Sequence, residues 1–289
     1  MSKMNPAPIS RRHFGGITAL SGLAAAAQSH AQESSSPTNL RVLCYNIHYG
    51  QGNDGVYDIP RIAEVIKAAK PDLVALQEID VHVERSDRRH ELRMLADETG
   101  LIGRFGPTQH YQGGLYGNGI LSKYPILDAH IQPLPYTEAT PEIVTYPRNA
   151  FAAVIEATGG KRVRFISTHF QHASFEEDRL AEAVAINRHF ANDDPAEDAM
   201  GKKAAALPTI LAGDFNAVLG TPPIEELQKK WTLVAEDDPV PTAPSKAPKN
   251  RIDFISYRTQ DPVRVVEHRV IDERMASDHF PVFAVLEIG

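Results

Sequence analysis

Seven side chains that offer oxygen or imidazole donors stand where apolar runs of this sequence begin or end. Arg41-Val42-Leu43-Cys44-Tyr45 leads into Asn46, and Asp72-Leu73-Val74-Ala75-Leu76 leads into Gln77-Glu78. Arg164-Phe165-Ile166-Ser167-Thr168 leads into His169, and Thr209-Ile210-Leu211-Ala212-Gly213 leads into Asp214-Phe215-Asn216. Ser277-Asp278-His279 immediately precedes the last apolar run, Phe280–Ile288. Taken singly, Asp-Phe-Asn is turn chemistry, a Glu ending a strand is a solvated carboxylate, and a His is a partner in a hydrogen-bond network. Taken together, Asn46, Glu78, Asp214, Asn216 and Asp278 are hard oxygen donors, which suit Mg²⁺ or Mn²⁺ rather than zinc or copper. His169 and His279 add groups that titrate near neutral pH. Without a cation, several carboxylates in one cleft would repel one another and raise their pKa values.

For these groups to meet, the runs that carry them must be strands reaching one sheet edge, where loops gather binding groups. Strands are expected over Leu40–Ile47, Asp72–Gln77, Gly119–Lys123, Ala150–Ala157, Arg162–Thr168, Pro208–Ala212, Arg251–Tyr257, Val263–Val270 and Phe280–Ile288. The final strand reaches the same edge if it runs antiparallel to the others. Residues 59–70 read as a helix with Ile59, Ile62, Ile66 and Ala69 on one face, Asp58 as its cap and Pro60 in its first turn. Further helices are expected over Glu91–Thr99, ended by Gly100, and over Phe175–Phe190. Strands such as Asp72–Gln77, apolar on both faces, need cover on each side, as in two packed sheets flanked by helices. Asn192–Leu207 and the Pro-rich Asp237–Asn250 are expected as surface loops within one domain. Gly113–Gly119 lacks the Lys-Ser/Thr ending of a P-loop and leads into a strand, and is expected as a mobile loop over the cleft. In Glu84–Arg93 the charges mix signs; Arg89 and Arg93 suit a solvated helix face, while Arg85-Ser86 suits a site rim. His48, His82, His110, His130, His189 and His268 have no metal spacing, and Cys44 belongs to a strand interior as an inert thiol.

The ordered series Asn46, Gln77-Glu78, Tyr116-Gly117-Asn118, Ser167-Thr168-His169, Gly213-Asp214-Phe215-Asn216, Arg251-Ile252-Asp253 and Ser277-Asp278-His279 resembles the endonuclease/exonuclease/phosphatase superfamily over about residues 40–286. The resemblance implies an α/β fold, a four-layer α/β/β/α sandwich of two packed mixed or antiparallel sheets, and divalent-metal hydrolysis of a phosphoester. It implies Glu78 as the main metal ligand with Asn46 and Asp278 beside it, holding one or two Mg²⁺ or Mn²⁺ ions. It implies Asp214 and Asn216 as the pair that orients the attacking water and contacts phosphoryl oxygens. His279 with Asp253 matches a His–Asp pair in which the acid fixes the tautomer, and His169 a second phosphate-site histidine. Tyr116, Asn118, Arg148 and Arg85 are the candidate substrate contacts. Arg148 is either a phosphate contact or a solvated strand-edge residue, and Asn118 is the amide nearest to hand for orienting His169. After His169 the chain reads Phe170-Gln171-His172, where many members of the superfamily have a Leu and then an Asp or Asn. That departure bears on the substrate more than on catalysis.

Composition agrees with a soluble enzyme-sized domain: 289 residues, 42% hydrophobic, 23% charged and 7% aromatic. A single cysteine excludes an intrachain disulfide and a cysteine-based zinc cluster. Ser10-Arg11-Arg12-His13-Phe14, the apolar stretch 15–27 and Ser29-His30-Ala31 have the order of a twin-arginine export signal with its cleavage site. The expectation is a signal over residues 1–31, handled by the twin-arginine machinery, and a phosphoesterase domain over 32–289 that is periplasmic or secreted and has no stable membrane anchor. Loss of Lys3, Arg11 and Arg12 would lower the formal charge, −7 for the whole chain, by three further units. That balance disfavours a nucleic-acid coat. The expected activity is Mg²⁺- or Mn²⁺-dependent hydrolysis of a phosphodiester or phosphomonoester, with lipid and inositol head groups among the substrates considered. The alternatives are a nonspecific or repair-type nuclease of the same superfamily and a non-catalytic binding module on the same fold.

Overall fold

The computed structural model describes residues 37–289; the export signal expected over 1–31 lies outside the described residues. Strands and helices are numbered in chain order. One six-stranded sheet runs β11 (Val263–Val270), β12 (Val282–Ile288), β1 (Thr38–Asn46), β2 (Leu73–Val81), β4 (Gly114–Ser122) and β3 (Ile102–Tyr111). The other runs β5 (Ile126–Leu134), β6 (Arg148–Glu156), β7 (Arg162–His169), β8 (Thr209–Asp214), β10 (Asp253–Arg258) and β9 (Trp231–Leu233). Each sheet has one parallel pair, β1 with β2 and β7 with β8. A parallel pair needs a crossover, and here the crossovers carry α1 (Ile59–Ala69) and α3 (Glu176–Phe190). The remaining helices are α2 (Glu91–Thr99), α4 (Lys202–Ala205) and α5 (Pro222–Gln228).

The apolar alternation of the strands explains the layering. In β1, Leu40, Val42 and Cys44 face the second sheet and join Phe151, Phe165 and Ile255 in the central core. Leu43 and Tyr45 face outward and pack with Ile59, Ile62 and Ile66 of α1 and Leu92 and Leu95 of α2. On the far side Ile166, Leu211 and Phe254 pack under Ile186 and Phe190 of α3 and Ile224 and Leu227 of α5. The result is the α/β/β/α sandwich, apolar on both faces of both sheets. Asp58 caps α1 by accepting from Arg61 N–H at 3.0 Å, and Pro60 occupies its first turn.

Three expectations need correction. β3, β5 and β9 are strands where none was expected. β3 and β5 are edge strands carrying Pro107 and Pro133, and nearly all their residues are exposed or only partly buried, so the apolar alternation is weak. Residues 114–119, expected as a mobile loop over the cleft, form a buried strand between β2 and β3. The glycines are there for close approach: a Cβ at Gly117 would overlap the carbonyl oxygen of Gly106 on β3. Within 192–207, α4 and Asp198 are tied down, because Asp198 accepts from the fully buried Arg164 at 2.6 Å. The stretch 237–250 is a loop with a structural task. Ser245 N–H donates to Asp278 O at 2.7 Å, Phe280 N–H donates to Thr242 O at 2.7 Å, and Ser245 Oγ donates to Ser277 O at 2.6 Å. It thereby clamps the turn that bears Asp278 and His279.

Candidate active site

The topology delivers the singled-out residues to one end of the sandwich. Asn46 ends β1 and pairs with Gln77 of β2; His169 ends β7 and pairs with Asp214 at the end of β8. β10 and β12 run antiparallel to these neighbours. Asp253 therefore starts β10 opposite Asp214, and Asp278-His279 lies just before β12. A register shift between Leu76 and Ile79 bulges Gln77 and Glu78 out of the β2–β4 ladder, with Glu78 at φ 59°. A bulge of this kind re-aims a side chain, and Glu78 lines the cleft. Asn216 (φ 47°), His48 (φ 49°) and Tyr49 (φ 42°) also occupy the left-handed region beside it. Backbone strain of that kind concentrates at functional sites.

The cleft has a volume of about 570 Å³ and is lined by Glu78, Arg148, His169, Asp214, Asn216, Asp278 and His279 at its floor. Its walls are Arg85, Gln109, Tyr111, Tyr116, Val144, Tyr146 and His172. Of the expected site residues, Asn46 and Asp253 lie fully buried beneath the floor. Asn46 Nδ2 donates to Glu78 Oε1 and to Asp214 Oδ2, both at 3.1 Å, while its Oδ1 accepts from His48 N–H at 3.0 Å. Asp253 Oδ2 meets His279 Nδ1 at 2.9 Å. Asn118 is corrected: it does not line the cleft and does not touch His169. Its amide donates to Asn149 Oδ1 at 2.9 Å, and Asn149 in turn holds the Pro107 carbonyl at 2.8 Å. The buried Arg148 is not a solvated edge residue; its Nη1 approaches His169 Nδ1 at 3.2 Å. Arg93 stands on the exposed face of α2 with Asp97 at 3.8 Å, as expected, whereas Arg89 precedes the helix, half-buried, and pairs with Asp87 at 3.0 Å. His48, given no role from spacing, stands with Nδ1 3.8 Å from Asp278 Oδ1.

Electrostatics divides the labour among these groups. Burial and the neighbouring Asp253 carboxylate push Asp214 up to about 7, against the stabilising pull of His279, the Asn216 N–H and the Asn46 amide. Burial alone would lower His279, but Asp253 and Asp214, with the hydrogen bond donated to Asp253 and the charge of Asp278, outweigh it and hold the imidazole well above its ordinary value. His169 goes the other way: burial, then Arg148 and His279, keep it neutral. A guanidinium only donates, so with Nδ1 accepting from Arg148 the proton is on Nε2, and the Asn216 Nδ2 that stands 3.1 Å from Nε2 is held by the Phe170 carbonyl rather than by the ring. The His169 Nε2–H faces Asp214 Oδ2 at 3.4 Å. Cys44 is buried against Gln77 Oε1 at 3.7 Å, and burial pushes its thiol up, away from the reactive thiolate.

Two carboxylate sets could hold a cation. Asp214, Asp253 and His279 bring donor atoms within 4.8 Å of one another. An imidazole that Asp253 keeps charged has no lone pair to give, so that trio suits proton handling rather than ligation. Glu78 and Asp278 line the same cleft and are oxygen donors of the kind Mg²⁺ and Mn²⁺ take. Asn46 would join them through Oδ1 only after its amide turns over and gives up the His48 N–H.

Sequence comparison places these observations in a family. The model of the endonuclease/exonuclease/phosphatase family matches residues 43–279, and the chain belongs to that family. Its members are hydrolases of phosphoesters, typically dependent on a divalent metal. The Escherichia coli K12 protein YbhP, described as uncharacterized, is 24% identical over 263 residues, covering 86% of this chain and 97% of that protein. An endonuclease/exonuclease/phosphatase from Beutenbergia cavernae superposes with a TM-score of 0.68 at 24% identity, covering 87% of this chain and 72% of the other. A Bacteroides thetaiotaomicron mannosyl-6-phosphatase gives 0.67 at 20% identity, covering 86% of this chain and 99% of that one. The human Nocturnin catalytic domain, with a bound sulfate anion, gives 0.64 at 17% identity, covering 87% and 95%. These likenesses show the fold.

Motif reasoning named Arg85 and Tyr116 of the walls but missed Gln109, Tyr111, Val144, Tyr146 and His172, although Tyr146 stands two residues before Arg148 and His172 three after His169. It also missed Glu182 of α3, which is fully buried and accepts from Gln171 N–H at 2.9 Å. Burial pushes this carboxyl up to about 8. The folded value lies above the ordinary 4.5, so between the two the native state keeps a proton that the unfolded chain has released. Stability must fall as pH rises through that window. Glu182→Gln keeps an acceptor for Gln171 and removes the charge. Denaturant titrations should find the variant more stable by up to roughly 5 kcal/mol near pH 9, at about 1.4 kcal/mol per pKa unit, and equal near pH 4. A variant equally or less stable at the alkaline pH would contradict this.

Proposed function

We propose that the chain is a divalent-metal-dependent phosphoesterase that hydrolyses a phosphoester by in-line attack of a water held at Asp214. The observation that carries this reading is the meeting, in one cleft, of a carboxylate raised toward neutral pH, a charged imidazole braced by a buried acid, a neutral imidazole and two further carboxylates. Glu78 and Asp278, with Asn46 after its amide turns, are the residues that would hold Mg²⁺ or Mn²⁺. Such an ion, when bound, neutralises the phosphoryl oxygens and stabilises the leaving oxygen. Asp214 accepts the proton of the attacking water, for which a value near the working pH is the effective one. His279 Nε2–H and His169 Nε2–H, on either side of Asp214 Oδ2 at 3.7 and 3.4 Å, donate to the phosphoryl oxygens as charge builds. The Asn216 amide donates to the Phe170 carbonyl at 3.1 Å and lines the same cleft. Arg148 fixes the His169 tautomer and adds positive charge behind it.

The proposal includes export: residues 1–31 act as a twin-arginine signal, and the enzyme works in the periplasm or outside the cell. The test uses protein recovered from the cell envelope or medium, with an N-terminus expected at Gln32. Mg²⁺ or Mn²⁺ should support turnover of an activated aryl phosphate mono- or diester. EDTA should abolish it by at least about 100-fold, and the metal should restore it. Undiminished turnover in EDTA would overturn the metal-dependent mechanism, and a chain that retains residues 1–31 would overturn the export reading. Incubation with plasmid tests the nuclease alternative in the same preparation.

A further inference from the structure

The two walls of the cleft are rigid constructions of buried polar groups. On one side Arg85 is clamped by the fully buried Asp80, Nε to Oδ2 at 2.8 Å and Nη2 to Oδ1 at 3.0 Å. Its guanidinium lies 3.6 Å from the Tyr49 ring centre, 4.8 Å from Tyr111 and 5.4 Å from Tyr116. Nη1 has no protein acceptor among the described residues and is left for a ligand. The facing wall belongs to the other sheet. Gln171, fully buried, donates from Nε2 to Tyr146 O at 2.9 Å and accepts from His172 N–H at 3.1 Å. Three buried ionisable groups of α3 brace this wall: Glu182 takes Gln171 N–H, Arg179 Nη1 donates to His172 O at 2.7 Å, and Asp178 accepts from Thr137 N–H and Oγ1 at 3.1 and 2.7 Å.

Resting on the phosphoesterase reading above, we propose that this outer cleft is a leaving-group subsite for a neutral, hydroxyl-bearing ring, so that the substrate is a sugar phosphate. Tyr111 and Tyr146, from opposite sheets, offer aromatic faces to the C–H faces of the ring. Arg85 Nη1, Gln109 and His172 hydrogen-bond its hydroxyls, and Gln171 is the positioning residue that sets Tyr146 and His172 together. Three features choose this ligand. The Arg85 charge is already matched by Asp80, which disfavours a second phosphate. Val144 is the one aliphatic side chain of the lining, which disfavours a lipid chain. Hydrogen-bonding groups accompany every aromatic face, which suits a ring polar at its edge. Bracing both walls beforehand spares the ordering cost of binding.

The test measures kcat and KM of the metal-loaded enzyme on hexose 6-phosphates, glycerol phosphate, a nucleoside monophosphate, an oligonucleotide, sphingomyelin vesicles and an aryl phosphate. The expected result is a kcat/KM for at least one hexose phosphate about tenfold or more above that for glycerol phosphate. Tyr146→Ala should raise KM for that sugar phosphate about tenfold with a smaller change in kcat, and Tyr146→Phe should restore it. Gln171→Leu should reproduce the KM effect. Tyr146→Ala, at a 37% exposed position, provides the same readout should Gln171→Leu fail to fold. A higher kcat/KM on the nucleotide, oligonucleotide or vesicles, or equal KM effects on glycerol phosphate and sugar phosphate, overturns the subsite while turnover of the aryl phosphate leaves the phosphoesterase reading standing. No turnover of any ester overturns both.

Discussion

Asp214→Asn should lower kcat by about a thousandfold, within the range attributed to a positioned general base, while the protein folds as before. The side chain is the hub of the floor: Oδ2 meets Asn46 Nδ2 at 3.1 Å, His169 at 3.4 Å and His279 at 3.7 Å, and Oδ1 accepts from Asn216 N–H at 2.8 Å. An amide can keep the Asn216 bond but cannot take a proton from water. Stability should move the other way. Asp214 sits in the fold at about 7 against an ordinary 3.8, so its ionised form costs stability as pH rises from the lower value to the higher. In EDTA at about pH 8, the variant should therefore melt at or above the temperature of the parent. The pair of measurements separates chemistry from folding. A variant that keeps more than a tenth of kcat would remove Asp214 from the base position, and one that melts far lower would make the hub structural.

That hub was legible in the sequence because each of its members ends or begins an apolar run. Strand ends are fixed by backbone pairing, so residues far apart in the chain, such as Asn46 and Asp278, could be assigned to one edge once β12 was taken as antiparallel. The inner strands were legible for the same reason: β1, β2 and β7 bury both faces and are mostly apolar, although Arg41 interrupts β1 and the buried Arg164, Ser167 and Thr168 interrupt β7. β3 and β5 were not, because edge strands with Pro107 and Pro133 leave nearly all their residues exposed or only partly buried and lose the alternation. Gly114, Gly117 and Gly119 misled for a physical reason. Glycine marks both flexible loops and places where two backbones nearly touch, and only the neighbouring strand distinguishes them. The walls were illegible at a deeper level. Asp80, Gln171, Glu182 and Arg179 act through partners on other elements, and a buried charge has no sequence signature apart from the group that neutralises it. The departure at Phe170-Gln171-His172 was visible, but its task of joining Tyr146 to His172 became definable only with the tertiary bonds.

Asp253→Asn should be nearly as damaging as loss of the base, by about 10²–10⁴ in kcat, although Asp253 does not line the cleft. A carboxylate can only accept, so Asp253 Oδ2 at 2.9 Å requires a proton on His279 Nδ1, and its charge helps hold a second proton on Nε2. Its Oδ1 has no partner and its backbone N–H is taken by Thr242 Oγ1, so nothing else near it competes for the imidazole. An asparagine at this position can turn its NH₂ toward Nδ1. That would reverse the tautomer and leave Nε2 without the hydrogen that points into the site. Burial, no longer opposed by this anion, then disfavours the charged ring as well. The alkaline limb of the kcat/KM profile should move to lower pH, because His279 loses its proton sooner, and ¹⁵N shifts of the imidazole should report a neutral ring in the variant at a pH where the parent is charged. If the limb and the ring shifts stay where they are in the parent, the His279–Asp253 pair is a packing contact, and charge stabilisation must come from His169, Arg148 and the cation.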